Sequence, residues 1–500
     1  MNKEQPILVV GAGPCGLAIA CELSKLGVAV RVLDAAPERM TGSRAIMLWP
    51  PALEVLDGIG LLEQVRTRAL RPGAYAYHIG SGAPRMVRFR PELAPLILPQ
   101  DVTNGLLEDE LARLGGQVER GIQVTDVTPA GDTVTVRAVR ADGTELTIEA
   151  GWLIGADGAH SAVRKQLGVE FAGEQYQELF LLAEAQLDGE LDRGAVHITI
   201  REHGALLAPL PGGEVRISTA IDEDTPLTAG MVQQVLDERG PSGGLRVSSL
   251  STLTTFLSHE RLAESMRVGR CFLVGDAAHM NSVFGGQGLS LGFQDAHNLA
   301  WKLAGVIDGR LQPSVLSSYD PERRAAAQQV IKLTRRMIRQ ADLSPMARRG
   351  RDAMLRLLCA TGVLEREHIP MLAGRRIRYP DVLFGAAPER AGRRGKGRLP
   401  AQGIPAPEWV PRPGPDAFGR FRLITTGSQT GAAAVEAGRL AERGPLLVSH
   451  ENVQRPGKES FILIRPDGFV ACSGPAAGLG RAGVLLDRLA AAEASAVTAA

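Results

Sequence analysis

The chain has 500 residues, 44% of them apolar, and its 56 Lys+Arg against 55 Asp+Glu leave a formal net charge of +1. That length exceeds one ordinary hydrophobic core, so two or three domains are expected. The near-neutral balance argues against bulk electrostatic binding to nucleic acid or a membrane and points to small-molecule partners.

The first predicted element is a strand, Ile7-Leu8-Val9-Val10, followed by GAGPCG and a helical pattern through Leu17, Ala20, Leu23 and Leu26. A second strand from Val28 ends at Asp34. In this strand–turn–helix–strand setting, Gly11 permits a tight turn and Gly13 lets backbone amides approach a pyrophosphate at the helix N-terminus. Gly16 allows close helix–strand packing, and Asp34, about 20 residues on, stands where an acid accepts from a ribose hydroxyl. The motif fits FAD and NAD equally, and a purely structural glycine turn is the bland alternative. Further on, Trp152-Leu153-Ile154 and then GADGAHSAVR repeat the pattern of an apolar run ending at glycine and acid.

Ala195 to Arg201 alternates apolar and polar residues, and GALLAPL, Pro-Gly-Gly and EVRISTAI read as two strands joined by a glycine turn. An antiparallel sheet over about 175–261 follows, with Leu206, Leu207, Leu210 and Ile217 as candidate pocket lining or ordinary sheet core. No tyrosine pair suited to deprotonating a phenol stands out there. Cys271 to Val274 is a short buried strand leading into GDAAHMNSVFGGQG, so Asp276 lies at a carboxyl strand end, where open α/β sheets bind ligands. A long basic helix runs from Pro321 to about Arg339. Residues 384–419, rich in Pro, Gly and Arg, read as a linker. FRLITTG, GPLLVSH and ESFILIRPDGFVACSG supply strands and a turn, and the Ala-rich end reads as a fraying helix. The five cysteines, at 15, 21, 271, 359 and 472, form no CxxC pair or metal-like cluster, so neither disulfides nor a metal is expected. The first apolar run is too short for a signal peptide and no run reaches about 18 apolar residues, which gives the expectation of a soluble, cytoplasmic protein.

GxGxxG, DGxxSxVR and GDAAH with a downstream GxG occur here in that order. Together they resemble the fingerprints of the FAD-dependent aromatic hydroxylases, the single-component flavoprotein monooxygenases of the para-hydroxybenzoate hydroxylase fold, and in particular the polyketide-tailoring members. The resemblance runs from residue 1 to about 340. It implies FAD contacts from Gly11, Gly13, Pro14, Gly16 and Asp34, from Arg44 near the phosphates and the nicotinamide site, and from Gln100 toward the ribityl region. It also implies that Asp157, with Ser161 and Arg164, organises pyrophosphate and NAD(P)H binding, and that Asp276 holds the ribityl chain. Gly285, Gly286, Gly288 and Leu289 would bring backbone to the isoalloxazine, with the dipole of the following helix stabilising anionic reduced flavin. His279 belongs to the motif as a packed or hydrogen-bonded residue rather than a base. Ser282-Val283 replaces a common proline pair and Ser290 a common asparagine, so Ser282, Val283 and Phe284 are read as substrate-side wall.

The implied fold is α/β: a Rossmann-like FAD-binding domain (1–174 and 262–383) with an antiparallel-sheet substrate domain (175–261), a linker (384–419) and a thioredoxin-like C-terminal domain (420–500). That last domain lacks CxxC, so packing or homodimer formation is its expected role. The implied activity takes NADPH or NADH and O₂ to hydroxylate an aromatic, polycyclic or polyketide-like substrate through a flavin C4a-hydroperoxide. With a single glycine-rich dinucleotide motif, NAD(P)H would bind only transiently. Baeyer–Villiger or epoxidising chemistry on the same scaffold, and a non-catalytic flavoprotein that binds a small molecule, are the alternatives. A halogenase is disfavoured because no WxWxIP motif is present.

Overall fold

The computed structural model describes residues 5–42, 45–80, 82–201, 204–282, 284–338, 345–384, 399–444, 446–455 and 458–491. Arg44 and Val283 lie outside the described residues, as does most of the Ala-rich end. Strand β1 (Ile7–Val10) leads into helix α1 (Pro14–Lys25) and strand β2 (Val30–Leu33). Two substitution-intolerant glycines make that turn possible. Gly11 has φ +105° and a Cβ there would lie 2.4 Å from the Ala156 carbonyl oxygen, while a Cβ on Gly16 would lie 1.9 Å from Gly11 O. Helix α2 (Gln100–Arg113) packs beside α1, and strand β3 (Trp152–Gly155) and strand β4 (Cys271–Leu273) complete the central part of a six-stranded sheet.

In that sheet the order is Arg267–Val268, β4, β3, β1, β2, Val118–Glu119, parallel except at the first pair. Val10 pairs with both Gly155 and Leu33, and Gly155 with Leu273, so four strands end in register. The turns that carry Gly11, Asp34, Asp157 and Asp276 therefore share one edge.

The second layer is an eight-stranded sheet ordered His279–Met280, Arg246–Ala263, Phe171–Asp188, Val215–Ile221, Ala205–Pro209, Ala195–Ile200, Ala74–Ile79, Arg85–Arg88. It is wider than the segment 175–261 suggests, because Ala74–Ile79 joins from upstream and pairs in parallel with Ala195–Ile200. One face of this sheet packs on the helix Ala229–Arg239, and the other on the Met47–Trp49 segment and on Leu364, Ile369 and Leu372.

Helix α3 (Gly288–Ile307) is buried along nearly its whole length, behind the GDAAH turn, and helix α4 (Tyr319–Ile338) packs against it. The C-terminal unit runs Phe421–Thr426, Ala432–Arg443, Leu447–Val453, Ser460–Ile464, Val470–Pro475 and Gly480–Leu489. Its sheet order, Leu447–Val453, Phe421–Thr426, Ser460–Ile464, Val470–Pro475, has one parallel pair and two antiparallel pairs, the thioredoxin-like arrangement. Phe421 meets Trp301 edge to face with centroids 5.5 Å apart, so one apolar core runs from α3 into this unit.

A buried ionic cluster completes that junction. Arg465 donates to both oxygens of Glu322, at 2.7 and 2.8 Å, and to Asp467. Lys302 donates to the same Glu322 at 2.7 Å, and Asn298 bridges Glu322 and Asp467. Burial would raise the Glu322 carboxyl, but the Arg465 and Lys302 charges hold it at about 2. Among the described residues no helix is long and apolar enough to cross a membrane, and no group of His, Cys, Asp and Glu is placed to hold a metal ion.

Candidate cofactor and substrate site

Because β1 stops at Gly11, α1 begins at Pro14 with Gly13 as its N-cap and no side chain capping it. A Cβ added at Gly13 would meet nothing within 4 Å, so the protein itself does not require glycine there and a closely approaching ligand would. Asp34, at the end of β2, reaches back to this turn: its Oδ2 accepts from Ala12 N at 2.5 Å and its Oδ1 from Ala36 N at 2.7 Å. Each carboxylate oxygen keeps a second acceptor site for a sugar hydroxyl. Beside the turn runs a groove of about 270 Å³ between Ala12 and the N-terminal half of α2. An uncapped helix N-terminus, a bare glycine and an acid over an open groove suit the diphosphate and ribose of a dinucleotide. Gln100 opens α2, and its Oε1 accepts from Ala45 N at 3.3 Å.

The second motif turns inward. Asp157 accepts from Ser161 Oγ at 2.5 Å and from Val163 N at 3.0 Å, and Ser161 caps the helix Ala162–Gln166 by accepting from Arg164 N. Arg164 is buried, lies over the Phe171 ring, and donates to Ala277 O at 2.9 Å. This motif thus braces the third turn.

In that third turn Asp276 is exposed while its neighbours from Cys271 to His279 are buried. Gly275, at φ +60°, brings it against α1, where a Cβ would lie 2.7 Å from Cys15 Sγ. Burial, and then the Asp276 and Asp295 charges, push the Cys15 thiol well up, which places both acids close to the first turn of α1. Asp295 fixes the loop from behind: it accepts from Gly275 N at 3.0 Å, from Arg323 Nε at 2.6 Å, and shares a 2.6 Å contact with His279 Nε2. His279 is 1% exposed and so packed rather than presented to a ligand.

Gly285 and Gly286 both take positive φ, +86° and +59°, before α3 begins at Gly288 with Leu289 buried behind it. Trp49 Nε1 donates to Gly285 O at 2.9 Å, and Trp49 N donates to Ser290 Oγ at 3.1 Å, so the serine that replaces asparagine anchors this turn to the Met47–Trp49 segment. Ser282 is buried, its Oγ in contact with Ser258 Oγ at 3.3 Å. Phe284 meets Phe180 edge to face at 5.9 Å, and Phe180 stacks on Phe256. The loop therefore seals against the inner face of the substrate sheet.

The four sheet residues expected to line a pocket divide between the two faces. Leu206 and Leu210 pack toward Met47, Trp49, Tyr75 and Leu372, on the cofactor side. Leu207 and Ile217 pack with Met231, Val232 and Leu236 of the helix on the opposite face, as alternation along a strand requires of neighbours 206 and 207. The sequence reading also missed a tyrosine pair: Tyr75 and Tyr77, from the upstream strand, sit on the inner face with centroids 6.0 Å apart. The alternation in AYAYHI was the available signal. Burial pushes both phenols far above their ordinary range, so they stay protonated. Arg216 was missed too; it is buried, with Nε donating to Glu184 at 3.0 Å, and Thr252 donates to the same carboxylate.

The family model described as "FAD binding domain" matches residues 4–334. The chain is 32% identical to 6-methylpretetramide 4-monooxygenase of Streptomyces rimosus, over 94% of this chain and 91% of that protein. Among solved structures, the anhydrotetracycline hydroxylase from Streptomyces rimosus superposes with a TM-score of 0.74 at 30% identity, covering 97% of this chain and 99% of the other. An aromatic hydroxylase from angucycline biosynthesis superposes with a TM-score of 0.73 at 26% identity, over 97% and 99% of the two chains.

Proposed function

The chain belongs to the FAD binding domain family and is an FAD-dependent monooxygenase, and we propose that it uses NADPH or NADH with dioxygen to hydroxylate an aromatic, polyketide-like small molecule. The observation that carries this reading is the meeting of the Asp34, Asp157 and Asp276 turns at one sheet edge, with a largely apolar sheet face sealed over the Gly285–Gly288 turn. The relatives named for tetracycline and angucycline hydroxylation favour a fused-ring substrate.

When bound, FAD supplies the hydride acceptance and dioxygen activation that no side chain offers. Gly11 and Gly16 would shape the turn and Pro14 start the helix, so that at Gly13 the diphosphate could approach the N-terminal amides of α1, while Asp34 would take the ribose. Asp276 and Gln100 hold the ribityl chain. Asp157 acts through Ser161 and Arg164, which steady the Asp276 turn. Gly286, Gly288 and Leu289 would present the N-terminal amides of α3 to the flavin ring, where the helix dipole would favour negative charge. Leu206, Leu210 and Phe284 form the wall that excludes water, and Ser282 ties it to the sheet. Proton transfer is assigned to no side chain of this wall. With one glycine-rich dinucleotide turn given to FAD, NAD(P)H visits without a Rossmann domain of its own.

The test is NAD(P)H oxidation by the purified yellow protein with and without polycyclic phenols, followed by product mass and structure. The expected result is stimulated oxidation and a product carrying one added oxygen on an aromatic carbon. A ring-expanded ester would replace hydroxylation by Baeyer–Villiger insertion, and a flavin-loaded protein that oxidises no NAD(P)H under any substrate would leave only binding.

A further inference from the structure

Helix α2 lies along the groove that begins at Ala12. Residues 100, 104 and 108 repeat every four positions, so Gln100, Asn104 and Glu108 share one face of α2, at steps of about 6 Å. Two arginines close the groove on the β2 side. Arg39 follows Asp34, Arg120 follows Val118–Glu119, and both reach Glu108: Arg120 at 2.7 Å and Arg39 at 3.2 Å. Arg39 also pairs with Asp109. The charges of this end are thus matched before any ligand arrives.

Asn104 differs from its neighbours. It lines the groove and is only 6% exposed, yet neither its Oδ1 nor its Nδ2 has a hydrogen-bond partner among the described residues. An unmade buried hydrogen bond is destabilising, and leucine at this helix position would leave no buried polar group unpaired. A ligand in the groove would supply the missing partner. An amide offers an acceptor as well as two donors, so a bare anion would satisfy only half of it. A partner that both donates and accepts, as a sugar hydroxyl does, satisfies both ends of the amide.

We propose that Asn104 binds the ribose–diphosphate segment on the adenosine side of FAD, with Oδ1 accepting from a sugar hydroxyl and Nδ2 donating to a hydroxyl or phosphate oxygen. The adenosine side is assigned because the residues around Asn104 are Ala12 of the phosphate turn and the two arginines next to Asp34, one helical turn away from Gln100 at the ribityl end. This rests on the reading of the groove as the FAD site.

The test strips FAD from the holoenzyme and titrates the apoprotein with FAD and, separately, with ADP, for the wild type, Asn104→Leu and Asn104→Asp. In Asn104→Leu the affinities for FAD and ADP should fall together, by about 10- to 100-fold. The melting temperature of its apoprotein should stay level or rise, because a buried unpaired amide has been removed. Asn104→Asp keeps the shape but loses the donors and adds charge beside the diphosphate, so it should lose at least as much affinity for both. A merely structural asparagine gives the opposite sign, a lower melting temperature in the leucine variant. Unchanged FAD affinity in both variants, or a fall for FAD with ADP unchanged, overturns the assignment. If the wild-type apoprotein takes up neither FAD nor ADP, the cofactor reading itself fails, which is a different result from wild-type uptake with unaltered variants.

Discussion

Two polar regions flank the centre of the molecule and treat buried polar groups in opposite ways. Behind α3, Glu322 is shared among Lys302, Asn298 and Arg465, and Arg465 also holds Asp467, so the buried charges are matched within the chain. Along α2, the charges of Glu108, Arg39 and Arg120 are matched while Asn104, between them and Gln100, is left without a partner. The difference teaches how to read buried polarity. A closed set of partners marks an architectural joint, here the seat of the C-terminal unit. The open one along α2 is where, on our proposal, FAD completes the protein.

The comparison can be broken most forcefully at the joint. Arg465→Met leaves Glu322 and Asp467 buried with their main cation gone, which should cost about 3–5 kcal/mol in urea unfolding. A variant of wild-type stability would show that the cluster contributes nothing to seating the C-terminal unit. On the substrate sheet, Leu207→Ala should cost about 3 kcal/mol, with coupling of NAD(P)H oxidation to product unchanged. Leu206→Ala, one residue away and half-buried on the cofactor side, should cost less stability and weaken substrate binding instead. Equal effects of the two would contradict the division of the faces.

Burial alone would depress His297, but the Glu22 carboxylate bonded to it outweighs burial and holds it at about 9. Its folded value is thus above the unfolded value of roughly 6.5, so its contribution is full below that pH and is lost as pH rises through about 9. Discounted for the partial exposure of the ring, the contribution is about 2 kcal/mol. His297→Gln should therefore melt below wild type at pH 6 and close to it near pH 10. A gap that persists at high pH would remove the ion pair as its cause. The smallest stability effect is expected in the cofactor site: Asp276→Ala should change the apoprotein's melting temperature little while lowering FAD affinity at least about tenfold.

What the sequence disclosed follows from where each signal lies. The three turns were legible because each is local, an apolar run that ends in an acid, preceded by glycine at Asp157 and Asp276; the register that gathers them joins strands distant in the chain. The hydrogen bonds from Ser161 and Val163 to Asp157 were not legible, since a carboxylate that braces the helix after it looks in sequence like one that faces a ligand. Tyr75 and Tyr77 were missed because their strand enters the substrate sheet from a distant segment, through the parallel pairing with Ala195–Ile200. The facing of Leu207 and Ile217 depends on which side of the sheet carries a helix, which composition does not record. Arg465 and Asp467 lie where the sequence reads as a turn between strands, yet Arg465 meets Glu322 across 143 positions of chain. Asn104 gave no signal at all: one asparagine in a helix is ordinary until its surroundings are known.

The central claim is that the Asp34, Asp157 and Asp276 turns hold FAD beneath a water-excluding sheet, so that dioxygen and not water supplies the oxygen added to substrate. The most direct measurement is turnover of a fused-ring phenol by the FAD-loaded protein with NAD(P)H under isotopically labelled dioxygen, with the product read by mass spectrometry. The account predicts one labelled oxygen atom per product molecule. Product that carries unlabelled oxygen from water, or FAD-loaded protein that consumes NAD(P)H and yields only hydrogen peroxide with every such substrate, would contradict it.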